Sequence, residues 1–315
     1  MQLVYNAIQG VLTILFMVGV GYILARRGWL KEEDSAFLSR LVLHLALPAL
    51  MLSNFTRTFN RSTLLLFGPG IVVPLTVILG SYGVASLLAQ LLRLPLRSRG
   101  TFRALFAFSN TIFVGLPVNL ALFGEASVPF VTLYYLVNTT VFWTLGVYYI
   151  RRDVEGGRQS PRFFSIETLK RILNPVLGAF LVAILLVLLE VKLPPFLVAS
   201  FKYAADLTTP LSMLIIGITM SSIGFQGIRL DRYTGAVLLG RFFIAPGIAW
   251  LLMRQLLLPE LMEKVFLVVA SLPVMTQVAI VCKAFGAESE RASMLVTFTT
   301  ALSLFIIPLY MWVFG

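Results

Sequence analysis

The sequence predicts an all-α integral membrane protein of ten transmembrane helices, arranged as two inverted repeats of five helices each. The first observation behind this prediction is the composition, which is 58% hydrophobic and 12% charged, with a mean hydropathy of +0.91. A soluble domain of this length needs more polar surface than that. The second observation is that apolar runs of about 20 residues recur from end to end. The third is a single sequence offset that relates the two halves of the chain.

Ten apolar segments are predicted to cross the bilayer. The first lacks a basic n-region and a small-residue cleavage site, which favours a retained span over a signal peptide. The predicted spans are residues 3–25, 35–54, 63–92, 101–123, 126–150, 169–189, 196–223, 233–258, 261–285 and 291–314.

A polar linker, R-R-D-V-E-G-G-R-Q-S-P-R, begins at residue 151 and divides the chain in half. We therefore predict a first repeat over 1–151, a cytoplasmic linker over 152–167 and a second repeat over 168–315. Loops after odd-numbered spans hold 17 lysines and arginines, and loops after even-numbered spans hold five. This bias predicts that the odd loops are cytoplasmic and both termini are outside, in a cell (inner) membrane. It also accounts for the net charge of +11 without a nucleic-acid partner.

The two halves share a motif at an offset of 162 residues. The motif L-x-x-P-x-x-M-L starts at residue 45 in the second span and at residue 207 in the seventh. Because each half holds an odd number of spans, the halves must lie upside down relative to each other. The same offset pairs Ser109 with Ser271, Phe123 with Phe285, Gly124 with Gly286 and Ser127 with Ser289.

The fourth span contains the stretch S-N-T-I-F-V-G-L-P-V-N-L-A-L-F-G over residues 109–124. Pro117 lacks an N–H and clashes with the preceding turn, and Gly115 adds a second weak point. In hydrocarbon, freed backbone groups persist only inside protein or beside a water-filled cavity. The stretch therefore predicts a discontinuous helix, with a simple proline kink as the alternative. The ninth span, its partner at the same offset, has Pro273 in mid-span with Thr276 and Gln277 nearby, which favours paired broken helices.

The chain has few residues that bind metals or perform catalysis. Its one cysteine, Cys282, excludes an intrachain disulfide and a cysteine metal cluster, and its one histidine, His44, disfavours a histidine metal site. An intramembrane enzyme needs a clustered acid, base or metal set, whereas Asp206 is the single clear acid within the spans. We therefore predict no enzyme activity, no cofactor and no metal.

Several motifs resemble the auxin efflux carrier family, which includes the plant PIN carriers. N-T-I-F-V-G-L-P-V at 110–118 resembles the N-T-x-x-x-G-x-P signature of that family's fourth span. R-F at 241–242 followed by Pro246 resembles its eighth-span R-F-x-x-x-P, and Pro273 with Lys283 resembles its ninth-span spacing. The short linker resembles the compact, prokaryotic type.

The resemblance implies ten helices in two inverted repeats. Spans one, two, six and seven would form a scaffold that often dimerises. Spans three to five and eight to ten would form a mobile transport domain, in which broken helices four and nine cross. It also implies an elevator-like movement of small organic anions across the bilayer.

Crossed broken helices leave helix N-termini near the midplane, where partial positive charge and free N–H groups suit a carboxylate. No Asp or Glu stands at either break. Asn138 resembles the asparagine that contacts substrate in plant carriers, with a helix–helix hydrogen bond as the alternative. The predicted substrate-binding residues are Asn110, Thr111, Gly115, Pro117, Asn138, Pro273, Thr276 and Gln277.

Four charged or titratable residues are candidates for coupling or gating. His44 and Asp206 occupy equivalent positions in the two repeats, where they form or flank a proton-sensitive element or make structural polar contacts. Arg241 either attracts or neutralises the anion, or extends to the cytoplasmic interface. Lys283 either complements a helix C-terminus or helps to admit the anion.

Together these observations predict a secondary active or potential-driven transporter of a small organic anion. The anion would be a carboxylate, such as an auxin-like acid or a dicarboxylate, moved by an elevator mechanism. The alternative is a membrane receptor that senses such an anion without moving it. The expected partners are the anion, the lipid bilayer and a second copy of the chain bound through the scaffold spans.

Overall fold

The computed structural model describes residues 2–58, 70–154, 175–223 and 230–314, with side chains described for 12–54, 70–154, 175–222 and 230–310. Within these ranges β structure is limited to one isolated antiparallel bridge, between Ser109 and Val274. The all-α prediction is confirmed for this part of the chain. The predicted start of the third span at 63–69 and most of the predicted linker, 155–167, lie outside the described residues.

The described ranges contain sixteen α-helices. In chain order they are α1 (Gln2–Arg26), α2 (Glu32–Leu41), α3 (Leu47–Thr58), α4 (Val72–Leu91), α5 (Leu96–Ala107), α6 (Leu116–Phe123), α7 (Val128–Val141), α8 (Val147–Val154), α9 (Pro175–Leu188), α10 (Pro195–Ala205), α11 (Thr208–Ile223), α12 (Arg232–Leu239), α13 (Ala245–Met253), α14 (Glu260–Ala270), α15 (Thr276–Phe285) and α16 (Ser289–Phe314).

Wide π turns occur at four places in the described helices. Each inserts one extra residue into the hydrogen-bond pattern, so the chain stays helical while its faces rotate. Three of the turns join α2 to α3, α7 to α8 and α12 to α13, and the fourth leads into α6. Their bounds are Val42–Ala46, Phe142–Gly146, Gly240–Ile244 and Thr111–Gly115.

Among the described residues, six helical segments are long and apolar enough to cross a membrane. They fall in predicted spans two, three, five, seven, eight and ten: Glu32–Asn54, Val72–Leu91, Glu125–Val154, Pro195–Ser222, Arg232–Met253 and Ser289–Tyr310. Of the other four predicted spans, the first corresponds to α1, whose side chains are described from Leu12 onward, and the other three contain shorter apolar helices, so the count of ten crossings stays a prediction. These shorter segments are Leu12–Arg26, Thr111–Phe123, Pro175–Leu188 and Thr276–Phe285.

The helices pack in two sets of neighbours. In the first set α1 lies along α11, α11 contacts α2, and α3 contacts α9 and α10. In the second set α5 packs against α4 and α8, α4 against α13, α14 against α7, and α15 against α16. We call these sets the scaffold group (α1–α3 and α9–α11) and the crossing group (α4–α8 and α12–α16). The two groups meet where α1 contacts α6 and α16, and where α11 contacts α6 and α16.

The contact between α1 and α11 depends on glycine. A Cβ atom at Gly217 would lie 2.3 Å from the carbonyl oxygen of Val18, and one at Gly21 would lie 2.8 Å from that of Leu214. Real side chains do not approach backbone atoms this closely, so both positions need a residue without a Cβ. The two backbones therefore pack directly against each other, and α11 is held firmly within the scaffold group.

Candidate functional site: the crossing of two interrupted helices

Two helices of the crossing group are interrupted near their middles. Helix α5 ends at Ala107, Phe108 has extended dihedral angles (φ −94°, ψ 133°), and the chain becomes helical again at Thr111. Helix α14 ends at Ala270, and α15 begins at Thr276. The discontinuity expected in the fourth and ninth spans is therefore present in the structure.

The position of the first interruption differs from the expected one. Pro117 does not break the chain, because it is the second residue of α6, seven residues after the interruption ends at Asn110. The wide turn Thr111–Gly115 comes directly before α6, and such a turn accommodates the proline ring and its missing N–H. Pro273, by contrast, lies within the second interruption as predicted.

The two extended segments, 108–110 and 271–275, cross antiparallel; we call this place the crossing. The backbone N–H of Asn110 donates to the carbonyl oxygen of Pro273 at 2.9 Å, and that of Met275 donates to the carbonyl oxygen of Phe108 at 3.1 Å. Backbone groups that lost their helical partners thus satisfy each other, as burial in an apolar environment requires.

Asparagine side chains complete the hydrogen bonding of the crossing. The amide of Asn138, which is fully buried, donates to the carbonyl oxygen of Ser109 at 3.0 Å and accepts from the N–H of Ser109 at 3.3 Å. Asn110 Nδ2 donates to Thr276 Oγ1 at 2.9 Å and so joins the two interrupted helices. In this conformation the side-chain amide of Asn138 is engaged with the backbone of Ser109.

Arg241 lies beneath the crossing and is only 1% exposed. Its guanidinium makes five hydrogen bonds to four backbone carbonyl oxygens at the ends of α5 and α14. The acceptors are Phe106 (3.4 Å), Ala107 (3.0 Å), Ala270 (3.0 Å) and Leu272 (2.9 and 3.0 Å). The alternative in which Arg241 extends to the cytoplasmic interface is wrong, because the cation is buried and bound to both helix C-termini.

A small cavity of about 20 Å³ lies at the N-terminal ends of the helices that begin again after the two interruptions. Asn110 and Thr276, two of the predicted substrate-binding residues, line it together with residues from α11 and α16. Its other lining residues are Phe113, Ile215, Ile216, Thr219, Met220, Val296, Thr297 and Thr300.

The remaining predicted binding residues surround the crossing without lining this cavity. Thr111, Pro117 and Pro273 are buried, and Gln277 is half-buried in the first turn of α15. Gly115 is a contact point between the two interrupted helices, because a Cβ there would lie 2.4 Å from Leu272 Cδ1.

Sequence reasoning missed the contribution of the tenth and seventh spans. Thr297 and Thr300 of α16 and Thr219 of α11 bring three hydroxyl groups to the cavity. A usable signal was present, since V-T-F-T-T at 296–300 is a hydroxyl-rich run inside an otherwise apolar helix.

The structure does not bring the titratable candidates together. His44 is exposed, with Nδ1 3.0 Å from the carbonyl oxygen of Arg40, and Asp206 is exposed and paired with Lys202 at 3.1 Å. Lys283 is exposed in the last turn of α15, where a positive charge complements the helix C-terminus.

Comparison with known proteins identifies the family to which the chain belongs. A family model described as membrane transport protein, that of the auxin efflux carrier family, matches residues 6–311. The chain belongs to this family. The transporter is therefore a multi-pass membrane protein, and its family and relatives point to transport rather than to an enzyme.

Its relatives match almost end to end. An uncharacterized transporter of Methanocaldococcus jannaschii is 26% identical over 312 residues, covering 96% of this chain and 97% of the relative. An uncharacterized transporter of Methanothermobacter thermautotrophicus is 27% identical, covering 96% of each chain. A Rhizobium meliloti protein named "Putative malonate transporter" is 23% identical, covering 93% of this chain and 91% of the relative.

Proposed function

We propose that the transporter moves a small organic anion, a carboxylate, which binds at the crossing. The observation that carries the proposal is that the N-terminal and C-terminal helix ends at the crossing have different surroundings. The N-termini at Thr111 and Thr276 lie beside the cavity, whereas the C-termini of α5 and α14 are covered by Arg241. The name of the Rhizobium relative supports an organic anion as the substrate class.

The charges at the crossing favour an anion on one side only. Each helix N-terminus carries roughly half a positive charge, and each C-terminus carries roughly half a negative charge. Arg241 compensates the negative ends, so its charge is engaged away from the cavity. None of the lining residues that the structure describes is acidic, and the first-turn N–H groups supply donors for a carboxylate.

Binding requires the cavity to open. A space of about 20 Å³ accommodates roughly one water molecule and is too small for a carboxylic acid. One wall is α11 of the scaffold group, through Ile215, Ile216 and Met220, and the opposite wall belongs to the crossing group. Separation of the two groups would therefore admit the anion, which is the movement that an elevator mechanism requires.

In this proposal the scaffold group stays fixed and the crossing group carries the anion across the membrane. Polar contacts between the groups must then break on movement, and two of them involve Glu125. Lys202 lies 3.9 Å from Glu125, and Asn54 Nδ2 donates to the carbonyl oxygen of Glu125 at 3.1 Å. We also propose that the chain crosses the inner membrane ten times as an inverted repeat, with both termini outside. Two copies would form a homodimer through the scaffold spans.

An inside-negative potential drives a monovalent anion outward with ~2.3 kcal/mol per 100 mV, so export needs no coupling ion. Uptake would need one, and His44 and Asp206 remain the proposed proton-sensitive positions because both sit in exposed sites at equivalent places in the two halves.

Flux through proteoliposomes tests the proposed function. We expect radiolabelled carboxylates to cross the membrane in response to an imposed potential. Asn110→Asp keeps the shape of the side chain and adds a negative charge at the cavity, so it should reduce flux at least ~10-fold. Gln255→Glu adds the same charge to the exposed turn after α13 and should leave flux near that of the unmodified protein.

Three results would count against the proposal. Flux that persists in Asn110→Asp contradicts a carboxylate at the crossing. Binding of the acids without flux would favour the receptor alternative. A panel of mono- and dicarboxylates with neither binding nor flux would exclude the substrate class.

A further inference from the structure

Thr297 has a buried hydroxyl group with no internal role. The residue is 2% exposed and lines the cavity at the crossing, and its Oγ1 has no hydrogen-bond partner in the part of the chain that the structure describes. Buried polar groups are nearly always hydrogen-bonded, so an unpaired one calls for a ligand or a water molecule. Thr297 is thus a lining residue of the cavity beside which the two helix N-termini lie.

The neighbouring hydroxyl groups differ from Thr297 in what they can donate. Thr219 Oγ1 donates to the carbonyl oxygen of Ile215 at 2.8 Å, and Thr300 Oγ1 donates to that of Val296 at 2.7 Å. Their protons are therefore committed to their own helices. Thr276 Oγ1 accepts from Asn110, which leaves its proton available. The cavity thus offers two hydroxyl donors, from Thr276 and Thr297.

The positive charge facing the cavity is limited. Two helix N-termini contribute roughly half a charge each, which makes about one in total. No lysine, arginine or histidine stands among the described residues that line the cavity. The other described lining residues are threonines, Asn110 and apolar side chains, all uncharged, so a second negative charge would be buried there without a compensating charge.

We infer that the crossing binds a carboxylate with a single negative charge, and that Thr297 donates a hydrogen bond to it. A carboxylate has only acceptor oxygens, and these match the two hydroxyl donors and the first-turn N–H groups. This inference rests on the proposed function and narrows its substrate class from organic anions to monoanions.

Malonate and its monomethyl ester test the charge. They share a carbon skeleton and differ by one negative charge at pH 7.5. We expect the monoester to bind the purified transporter at least ~10-fold more tightly than malonate, as measured by isothermal titration calorimetry. Lowering the pH converts malonate to its monoanion, so malonate affinity should rise while monoester affinity stays constant.

Substitutions at Thr297 test the hydroxyl group. Thr297→Val keeps the shape and removes the donor, so monoester affinity should fall ~10-fold, whereas Thr297→Ser should retain it. Ser303→Ala removes another buried hydroxyl of α16, one that donates to the carbonyl oxygen of Thr300 at 2.7 Å outside the cavity, and it should leave affinity unchanged. Thr297→Ala provides a second variant without the donor should the valine variant fail to fold.

The outcomes separate this inference from the proposed function. If neither acid binds the unmodified protein, the carboxylate function itself fails. If malonate binds as tightly as the monoester, the single-charge inference is overturned while the carboxylate function stands. If both Thr297 variants without a hydroxyl bind the monoester at full affinity, the role of the hydroxyl is overturned.

Discussion

Replacing Arg241 by methionine removes a buried side chain that joins the C-termini of both interrupted helices. Methionine fills a similar volume but donates no hydrogen bond, so four buried carbonyl groups lose their charged donor. An unsatisfied buried group costs ~1–3 kcal/mol. The cost for each carbonyl should lie at the lower end of this range, because removing the cation also removes the cost of its own desolvation. The expected loss is about 4 kcal/mol, at ~1 kcal/mol for each carbonyl.

Thermal melting of the detergent-purified transporter measures this loss. At roughly 2 °C per kcal/mol for a long chain, Arg241→Met should melt about 8 °C lower than the unmodified protein. Arg241→Lys should fall in between, because an ammonium offers three donors to four carbonyls. Arg254→Met is the control, since Arg254 is exposed and stacks on Trp250 with Cζ 4.2 Å from the ring centroid. Melting of Arg241→Met within ~2 °C of the unmodified protein would refute the capping role.

Three further substitutions test other contacts. Gly115→Ala places a Cβ 2.4 Å from Leu272 Cδ1 and should destabilise the protein by ~1–3 kcal/mol. The double variant with Leu272→Ala relieves this clash, so its loss of stability should be smaller than the sum of the two single losses. Asn138→Leu removes two buried hydrogen bonds at the crossing and should lower the melting stability by about 2 kcal/mol, at ~1 kcal/mol each. Burial raises the pKa of Asp231, but hydrogen bonds from the backbone and side chain of Thr234 outweigh it and leave the pKa below 3.8. The stability that ionised Asp231 contributes is therefore present above pH 3.8 and lost as the pH falls through the lowered pKa. Asp231→Asn should lower the melting temperature at pH 7 and weaken the decrease of the melting temperature at acidic pH.

Sequence patterns predicted the helical fold and the pairing of the two interrupted helices. They misplaced the first interruption because proline is a local signal, whereas the interruption arises from a contact between distant segments. Phe108 and Asn110 leave the helix to exchange hydrogen bonds with Met275 and Pro273. Pro117 was tolerated because a wide turn precedes it. No periodicity in either segment alone contains that information.

The candidate site was predicted in part for a related reason. Asn110 and Thr276 stand beside breaks in their own helices, so local sequence identified them. Arg241 was singled out for its charge, but its acceptors are backbone carbonyls, which no side-chain pattern reveals. Thr297 lies on an uninterrupted helix, and it becomes a lining residue of the cavity only because α16 packs beside α11 in the folded protein.

Arg241 also has no counterpart in the other half of the chain. At the offset of 162, the equivalent position is Leu79, whose side chain is 45% exposed. In the inverted-repeat arrangement that we propose, the two halves face opposite sides of the membrane, and the transporter alternates between inward- and outward-open forms. A cation supplied by one half alone makes these two forms chemically unequal. The resting preference of the transporter for one side of the membrane would then be set by the protein itself, before any ligand or gradient acts on it.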